Sequence, residues 1–483
     1  MELLKTGYMG TLSLGWDNYL FLELTGRQER SSTLKDQSFF YPSANLSFLF
    51  TQAFHMPSWW NYGKLRLSYG IVGNAPETYT ANIVYEQGSD NGFTWNTIPS
   101  SWGNADIHPE KKYEYEIGLE SKFLNNRLGI DISYYNNRVK DQILSTPQPS
   151  TSGVKNVLMN VGEVANRGWD ISISATPILT RDFRWDLTAN YGVYKNKVVK
   201  LADGVPYLEI LNSGGSGIKI QAVEGQPMGD IYAQVPQVNE NGEYLVSDKG
   251  LYLNQTELQK VGNINPAGVG GLFNSFSYKN VFLDFSIDFR IGGDVINEMN
   301  QYATAVGLTP ESLKYRDTEH GGLSYYYPGD NNSSGIPVQV DPSTGAGPNG
   351  EIIYHDGIIL PGVVASTGER NTRIIPAGYY YNTTYNWGTE AEQLTYRHSV
   401  FDNSYVKLRE LTIGYQFPEK MISKLGLGRL SVSVFGRNLF YFYKALKNYD
   451  AESSVGTSWA NQATVGSSTT ATRSFGVSLR ASF

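Results

Sequence analysis

The residues of this sequence that could take part in catalysis or metal binding form none of the usual catalytic patterns. The histidines lie in different connections, at no spacing typical of metal ligands. They are His55, His108, His320, His355 and His398. The carboxylates Glu114, Glu116 and Asp131 could mimic the acid pair of a glycosidase, but they alternate along strands, which is typical of a solvated polar surface. We therefore predict that the protein is not an enzyme and uses no catalytic residue, metal or cofactor.

Two further features limit the available chemistry. The chain contains no Cys, which excludes disulfides, thiolate zinc sites and cysteine nucleophiles. The segment 341–351 (DPSTGAGPNGE) is rich in oxygen ligands, but it lacks the spacing of an EF-hand calcium loop. A plain turn is the better interpretation of that segment.

Aromatic rings in long polar connections are the residues that could bind a ligand. Rings stack on the apolar faces of sugars, while neighbouring amides and hydroxyls bond to the sugar hydroxyls. The alternative is that the rings pack the connections against each other or against a partner protein. The candidates for ligand binding are Trp95, Trp102, Tyr326, Tyr380, Trp387 and Trp459. Peptides suit such rings as well as glycans do, so the ligand class stays open.

The composition fits an ordered β-protein. Of the 483 residues, 13% are aromatic, which argues against disorder. The net charge of −7 argues against a nucleic-acid partner, which requires a basic face. Mean hydropathy is −0.34, and no run of about 18 apolar residues predicts a membrane helix. These values are compatible with a transmembrane barrel, because its strands alternate apolar and polar residues.

Alternation of apolar and polar residues with a period of two runs through most of the chain. In 128–134, Leu, Ile, Ile and Tyr alternate with Gly, Asp and Ser, and 283–291 repeats the pattern. We predict about thirteen strands, most of them about 9–11 residues long, enough to cross a bilayer at a tilt. The side chains predicted to face lipid are Ile130, Ile132, Leu187, Phe285 and Ile287. Those predicted to face the lumen are Asp131, Thr188, Asp284 and Ser286.

The connections alternate between short and long. Short turns are predicted at Asp17-Asn18, Asn125-Asn126 and Asn280, and moderate segments near 52–63 and 418–428. The long connections lie near 28–42, 73–111, 138–166, 197–268, 293–404 and 441–472. This alternation is typical of an outer-membrane barrel, with short periplasmic turns at one rim and long extracellular loops at the other. The aromatic residues expected to form a girdle beside the short connections are Trp16, Tyr19, Phe123, Trp185, Tyr278, Phe282, Phe417 and Phe483.

Several blocks resemble, in order, the C-terminal part of the SusC/RagA family of TonB-linked outer-membrane transporters. They include 64–74 (KLRLSYGIVGN), 160–170 (NVGEVANRGWD), 262–280 (GNINPAGVGGLFNSFSYKN), 404–415 (SYVKLRELTIGY) and 435–440 (FGRNLF). The last residue, Phe483, is similar to the terminal aromatic that the barrel-assembly machinery recognises. The sequence departs from the family pattern at two places. Asp170 stands where the family usually has Glu, and the family's D-P-E-like motif in a late loop appears only as Tyr449-Asp450-Ala451-Glu452.

The resemblance implies an all-β, transmembrane antiparallel β-barrel in the cell outer membrane. Residues 1–483 would supply about 13 C-terminal strands of about 22. It also implies a nutrient importer for oligosaccharides or peptides that works with a SusD-like surface lipoprotein, outer-membrane lipid and TonB-ExbB-ExbD. The plug, the TonB box and the first strands are not recognised in the sequence, so they are expected from an upstream segment.

The predicted number of strands, about thirteen, is odd. Bacterial barrels close with an even number of strands, so an odd count predicts that the chain does not close a barrel alone. One alternative is a non-transporting surface receptor or adhesin built on the same barrel. The other is a soluble carbohydrate-binding β-protein.

Overall fold

The computed structural model consists mainly of β-structure. The residues it describes are 3–34, 38–78, 85–97, 101–104, 106–147, 151, 154, 156–213, 217–329, 333, 335–386, 395–454, 456, 458–466 and 470–483. Thirteen long strands form one antiparallel sheet in chain order. They are β1 (Lys5–Trp16), β2 (Leu20–Ser31), β3 (Ser38–Phe48), β4 (Trp60–Asn74), β5 (Glu110–Phe123), β6 (Leu128–Lys140), β7 (Glu163–Leu179), β8 (Phe183–Lys200), β9 (Gly268–Tyr278), β10 (Val281–Ile291), β11 (Tyr405–Gln416), β12 (Arg429–Lys444) and β13 (Ser474–Ser482).

The alternation in the sequence produces the two faces of this sheet. Directly paired residues share a face, so Leu119 and Ile132 lie side by side on one face, which we call the apolar face. On the opposite face, the polar face, Asp131 pairs with Ser172, and Ser172 pairs with Asn190. The residues predicted to face lipid all lie on the apolar face, and those predicted to face the lumen lie on the polar face. The predicted alternation is confirmed.

Short and long connections lie at opposite rims, because consecutive strands are antiparallel. The short-turn rim carries 17–19, 49–59, 124–127, 180–182, 279–280 and 417–428. The long-loop rim carries 32–37, 75–109, 141–162, 201–267, 292–404 and 445–473. At the short-turn rim, Asp17, Asn18 and Asn125 have φ of 47°, 56° and 58°, a region that Asn and Asp tolerate at low cost. The predicted topology is confirmed.

The strands are longer than the sequence pattern predicted. β8 has 18 residues and β7 has 17, because pairing continues past the apolar segment toward the long-loop rim. β2 and β3 remain paired as far as Arg30 and Ser38, so the first connection is shorter than 28–42. Phe282, predicted for the girdle, shares the polar face with Asp284 and pairs with Gly414. That glycine leaves room for the ring, since a Cβ there would lie 2.1 Å from it.

The long loops contain short strands and helices of their own. The strands are Glu86–Asp90, Phe93–Thr97, Ser101–Trp102, Ile143–Pro147, Asn156–Asn160, Tyr207–Ser213, Ile218–Val223, Asp230–Ala233, Leu245–Val246, Gln259–Asn263, Asp294–Ile296, Leu323–Tyr326, Val338–Gln339, Tyr354–Ile358, Val363–Val364, Ile375–Pro376 and Val400–Asp402. The α-helices among the described residues are α1 (Phe50–Ala53) and α4 (Glu419–Ile422) at the short-turn rim, and α2 (Glu298–Ala305) and α3 (Ala377–Tyr385) in the long loops. Within the described ranges, no helix has the length and apolar character needed to cross a membrane.

Candidate functional site

Three long connections pack together at the long-loop rim, and we call them the loop layer. They are 201–267, 292–404 and 445–473. Each contributes to one apolar core: Ile231 and Ile296 are fully buried there, and Ala460 is nearly so. Gly217 permits a close contact, since a Cβ at this position would lie 1.8 Å from the ring of Tyr396. Burial of this shared apolar surface fixes the three connections relative to one another.

Tyrosines brace a second part of the loop layer. Tyr325 is 1% exposed and donates a hydrogen bond to Asp356 at 3.1 Å, and burial raises its pKa. Tyr381 donates to the backbone oxygen of Glu311 at 2.9 Å, and burial raises its pKa to about 12. Both hydroxyls therefore stay protonated and hydrogen-bonded, which supports the packing interpretation for these rings.

His398 belongs to the same tyrosine-rich region. Its ring stacks on Tyr385 with centroids 4.4 Å apart. Burial, with a smaller contribution from the charge of Arg397, lowers the pKa of His398 to about 4. The imidazole is therefore neutral at physiological pH and braces the loop.

Two of the predicted ligand-binding rings lie in the connection 75–109. Trp95 is 48% exposed and lies on the hairpin strand Phe93–Thr97, where its indole covers Gly88. Trp102 lies beside Val157, on a strand that pairs in parallel with Asn156–Asn160. The two rings are on different small sheets.

The other predicted rings lie in the loop layer. Tyr326 is on the strand Leu323–Tyr326, and Tyr380 is in α3, with ring centroids 5.1 Å from Tyr381. Trp459 is 37% exposed and lies over Gly229, where a Cβ would be 2.9 Å from the indole. Trp387 lies outside the described residues. Ligand contact by any of these rings stays a prediction, and Tyr380 is the ring most clearly used for packing.

Helix α2 buries its polar side and exposes its apolar side. Gln301 is fully buried, and Asn300 and Thr304 are 8% and 3% exposed. The exposed apolar residues of this segment, which we call the α2 surface, are Met299, Tyr302, Val306, Leu308 and Leu313. Soluble helices normally show the reverse arrangement. Exposed apolar patches of this kind mark sites that another molecule covers.

The polar face of the sheet carries charged pairs beside a cavity. Arg66 donates to both carboxylate oxygens of Asp131, at 2.6 and 3.1 Å. A cavity of about 680 Å³ adjoins this pair, and its lining includes Asp170, Asn190 and Asp288. Charged and amide groups along the wall of a cavity are suited to a hydrated lumen.

An ionic cluster, which we call the loop anchor, ties the last long connection to the polar face. Glu452, from that connection, bonds to Lys407 and lies 2.5 Å from a guanidinium nitrogen of Arg409. Arg409 also donates to Asp288 at 2.5 Å. Lys407 is only 2% exposed, so its charge depends on these partners.

The two acidic residues of the late loop motif are ionised at neutral pH. Burial raises the pKa of Glu452, but hydrogen bonds from Arg409 and Lys407 outweigh it, so the pKa lies below its usual value. Burial also raises the pKa of Asp450, but a hydrogen bond from Tyr441 at 2.5 Å helps to bring the pKa below its usual value. The motif Tyr449-Asp450-Ala451-Glu452, although shortened, thus joins loop and wall.

Sequence reasoning did not find the loop anchor. Lys407 and Arg409 lie 45 and 43 residues before Glu452, so no local spacing connects them. The available signal was two cations at alternate positions of β11, which must either pair or face water. In the part of the chain that the structure describes, no three His, Asp or Glu side chains could hold a metal ion together.

Comparison with known proteins agrees with this architecture. Residues 5–231 match the family described as TonB dependent receptor-like, beta-barrel. TonB-dependent receptor P3 of Formosa agariphila is 24% identical over 417 residues, which cover 78% of this chain and 35% of the relative. TonB-dependent receptor SusC of Bacteroides thetaiotaomicron is 30% identical over 247 residues, which cover 47% of this chain and 24% of the relative.

The fold also matches a solved structure of the RagAB peptide transporter. The TM-score is 0.64 at 18% identity, and the match covers 91% of this chain and 44% of that chain. The chain spans 24–36% of the length of the curated relatives it matches. Its sequence is similar to those of TonB-dependent receptors, SusC among them, and its large sheet has the fold of the matching part of the RagAB transporter.

Proposed function

We propose that this chain supplies barrel wall and external loops to a TonB-dependent importer of oligosaccharides or peptides. An import pathway needs a polar interior, and the polar face offers carboxylates and amides such as Asp131, Asn190 and Asp288. It also needs a selective surface at the outer rim, where the loop layer lies. No bond in the ligand is made or broken in this proposal.

The observation that carries the proposal is the continuity between the loop layer and the polar face. Glu452 belongs to a long loop, whereas Lys407 and Arg409 belong to β11 of the wall. A ligand held among the loops would therefore lie next to the hydrated side of the wall rather than next to lipid. This arrangement favours transport over adhesion alone.

The partner in this proposal is a SusD-like surface lipoprotein that covers the loop layer. The α2 surface supports it, because Met299, Tyr302 and Val306 are 41–47% exposed on one side of the helix. Residues three or four positions apart lie on the same side of a helix, so they form one apolar contact area. The solved RagAB peptide transporter has the same fold in its matching part.

The ligand class is either glycan or peptide. Trp95 and Trp459 keep exposed indole surface at the long-loop rim, which supports sugar stacking. RagAB is described as a peptide transporter, which supports peptide uptake. TonB dependence is proposed on the names of the relatives, and the plug and TonB box would come from sequence outside 1–483.

Uptake by living cells tests the proposal. Cells that make the complete receptor containing this chain are given fluorescent oligosaccharides or fluorescent oligopeptides, with and without the TonB protein. We expect one ligand class to accumulate, and accumulation to stop without TonB. Ligand bound at the surface but never internalised would support the adhesin instead. A chain that is soluble without detergent would support a soluble β-protein.

Two variant pairs test the proposed surfaces. Trp459→Ala should lower ligand affinity, whereas Trp59→Ala, which removes an exposed indole at the short-turn rim, should not. Met299→Ser should weaken lipoprotein binding, and Met421→Ser at the short-turn rim is its matched control. Equal effects within either pair would remove the corresponding surface from the proposal.

A further inference from the structure

A basic cleft lies on the apolar face, near the long-loop rim. Its volume is about 770 Å³, and its cationic side chains come from β6, β7 and β8. They are Arg138, Arg167, Lys195 and Lys197, and all four are exposed. Toward the short-turn rim these strands present apolar or aromatic residues on this face, so four cations here need a specific explanation.

The position of the cleft relative to the membrane follows from the residues of β8. Its outward positions before the cleft are Phe183, Trp185, Leu187, Ala189, Tyr191 and Val193. Ten residues of strand extend about 33 Å, which at a tilt of about 40° spans roughly 25 Å of membrane, the usual height of the apolar band. Lys195 and Lys197 are the next two outward residues, so they lie about 5 and 10 Å beyond the band, at headgroup depth.

Within the described residues, three of the four cations of the cleft have no carboxylate partner. Arg167 is paired directly across the strands with Lys195, and like charges in that position repel. Within the described residues, no carboxylate lies at salt-bridge distance from Arg167, Lys195 or Lys197. Arg138 has a partner in Glu163 at 3.0 Å. An anion in the cleft would relieve the repulsion.

One further carboxylate lines the cleft. Glu224 accepts a hydrogen bond from the backbone nitrogen of Leu201 at 3.3 Å, so this loop contact holds it. With Glu163 and Glu224 counted against the four cations, the formal charge of the site is still positive. The cleft therefore suits a dianionic headgroup better than a carboxylate-bearing or neutral one.

We propose that the basic cleft binds the phosphate groups of lipid A in the outer leaflet of the outer membrane. Guanidinium and ammonium groups are the side chains that recognise phosphate, and Arg167 presents a planar fork for it. One row closer to the bilayer centre, the rings of Tyr134 and Trp169 lie 4.9 Å apart and match the boundary between headgroup and acyl chains. The inference uses the outer-membrane location and does not depend on what is transported.

Lipid retention by the purified receptor tests this inference. The complete receptor is extracted from its own outer membrane, stripped of lipid, and titrated with bisphosphorylated lipid A or with dephosphorylated lipid A. The test variant carries Arg167→Gln, Lys195→Gln and Lys197→Gln. The matched control carries Arg181→Gln, Lys420→Gln and Lys424→Gln, three exposed cations of the short-turn rim.

The wild type and the control should prefer phosphorylated lipid A, and raised salt should weaken that preference. Each cation near a membrane surface contributes about five-fold in affinity, so the test variant should bind on the order of 100-fold more weakly. A wild type without preference for phosphorylated lipid A would overturn the inference, and so would equal affinity in the two variants. Loss of an acidic protein partner with lipid affinity unchanged would overturn it too.

Folding of the test variant is followed by its heat-dependent gel mobility. If it does not fold, the charge-preserving variant Lys195→Arg with Lys197→Arg takes its place. That variant should retain lipid A as the wild type does. A folded Arg variant that has lost lipid A would count against phosphate recognition.

Discussion

Glu452→Gln should destabilise the folded protein by about 2–4 kcal/mol. Removing one partner of a buried ion pair costs about 3–5 kcal/mol, because the other charge stays buried without compensation. Lys407 is that charge, at 2% exposure. Two features lower the figure: Glu452 is itself 27% exposed, and the ring of Tyr441, 4.7 Å from the ammonium, supplies about 1 kcal/mol of cation–π attraction. Arg409 keeps its hydrogen bond to Asp288.

Glu410→Gln is the matched control for this prediction. Its partner Arg437 lies 3.1 Å away, and the two side chains are 40% and 57% exposed. Exposed pairs contribute at most about 1 kcal/mol, so this variant should be nearly as stable as the wild type. The assay is urea unfolding of the receptor in detergent, followed by tryptophan fluorescence. Equal destabilisation by the two substitutions would refute the buried-pair reasoning.

The pH dependence of the same variant provides a second check. The pKa of Glu452 is lowered in the folded state, so its stabilising effect is present above the ordinary carboxylate pKa, about 4.3, and is lost as the pH falls through the folded value. The stability difference between wild type and Glu452→Gln should therefore be full at pH 7 and shrink below about pH 4. A difference that is constant down to pH 3 would contradict the ionic explanation.

Three further predictions concern the wall and the loop layer. Ile287→Arg on the apolar face should cost about 2–4 kcal/mol in lipid, and Ser286→Arg on the polar face much less, as measured by unfolding in vesicles. Burial lowers the pKa of His398 to about 4, so its contribution of up to about 3 kcal/mol is complete above pH 6.5 and lost toward pH 4. Replacement of His398 by Asn should remove that acid sensitivity from hydrogen exchange in the loop layer. Gly217→Ala forces a Cβ into the ring of Tyr396 and should cost about 1–3 kcal/mol, seen as faster proteolysis of the loops.

The sequence predicted the wall because each strand carries its own signal. Period-two alternation assigns Ile132 and Asp131 to opposite faces without knowledge of any neighbour, and turn residues such as Asn18 mark where a strand reverses. The extent of the strands was less accessible, because the outer ends of β7 and β8 mix polar and apolar residues without a regular alternation. Pairing between β7 and β8 nevertheless continues there, as far as Glu163 and Lys200.

The loop layer was not accessible to the same reasoning. Its structure depends on contacts between segments that are far apart in the sequence, such as the contact of Gly217 with Tyr396. It also depends on the burial of polar side chains such as Gln301. A helix that buries amides and exposes Met299 gives a misleading hydrophobic pattern when it is considered alone. For the aromatic rings the sequence left two interpretations open, and the hydrogen bond of Tyr325 to Asp356 supports packing for that ring.

The connection 445–473, which contains Glu452 of the loop anchor, also forms hydrogen bonds with α2 and with the segment just before it. Four residues before Glu452, Asn448 donates a hydrogen bond to Asn300 of α2 at 3.1 Å. Further along the same connection, the backbone nitrogen of Val465 donates to Ile296, two residues before α2, at 2.7 Å. We expect a connection held at both points to transmit displacement of the wall to the helix that carries the α2 surface. Loss of the anchor in Glu452→Gln should therefore speed hydrogen exchange in α2, some distance from the substituted side chain, and exchange unchanged from the wild type would show that the two sites are independent.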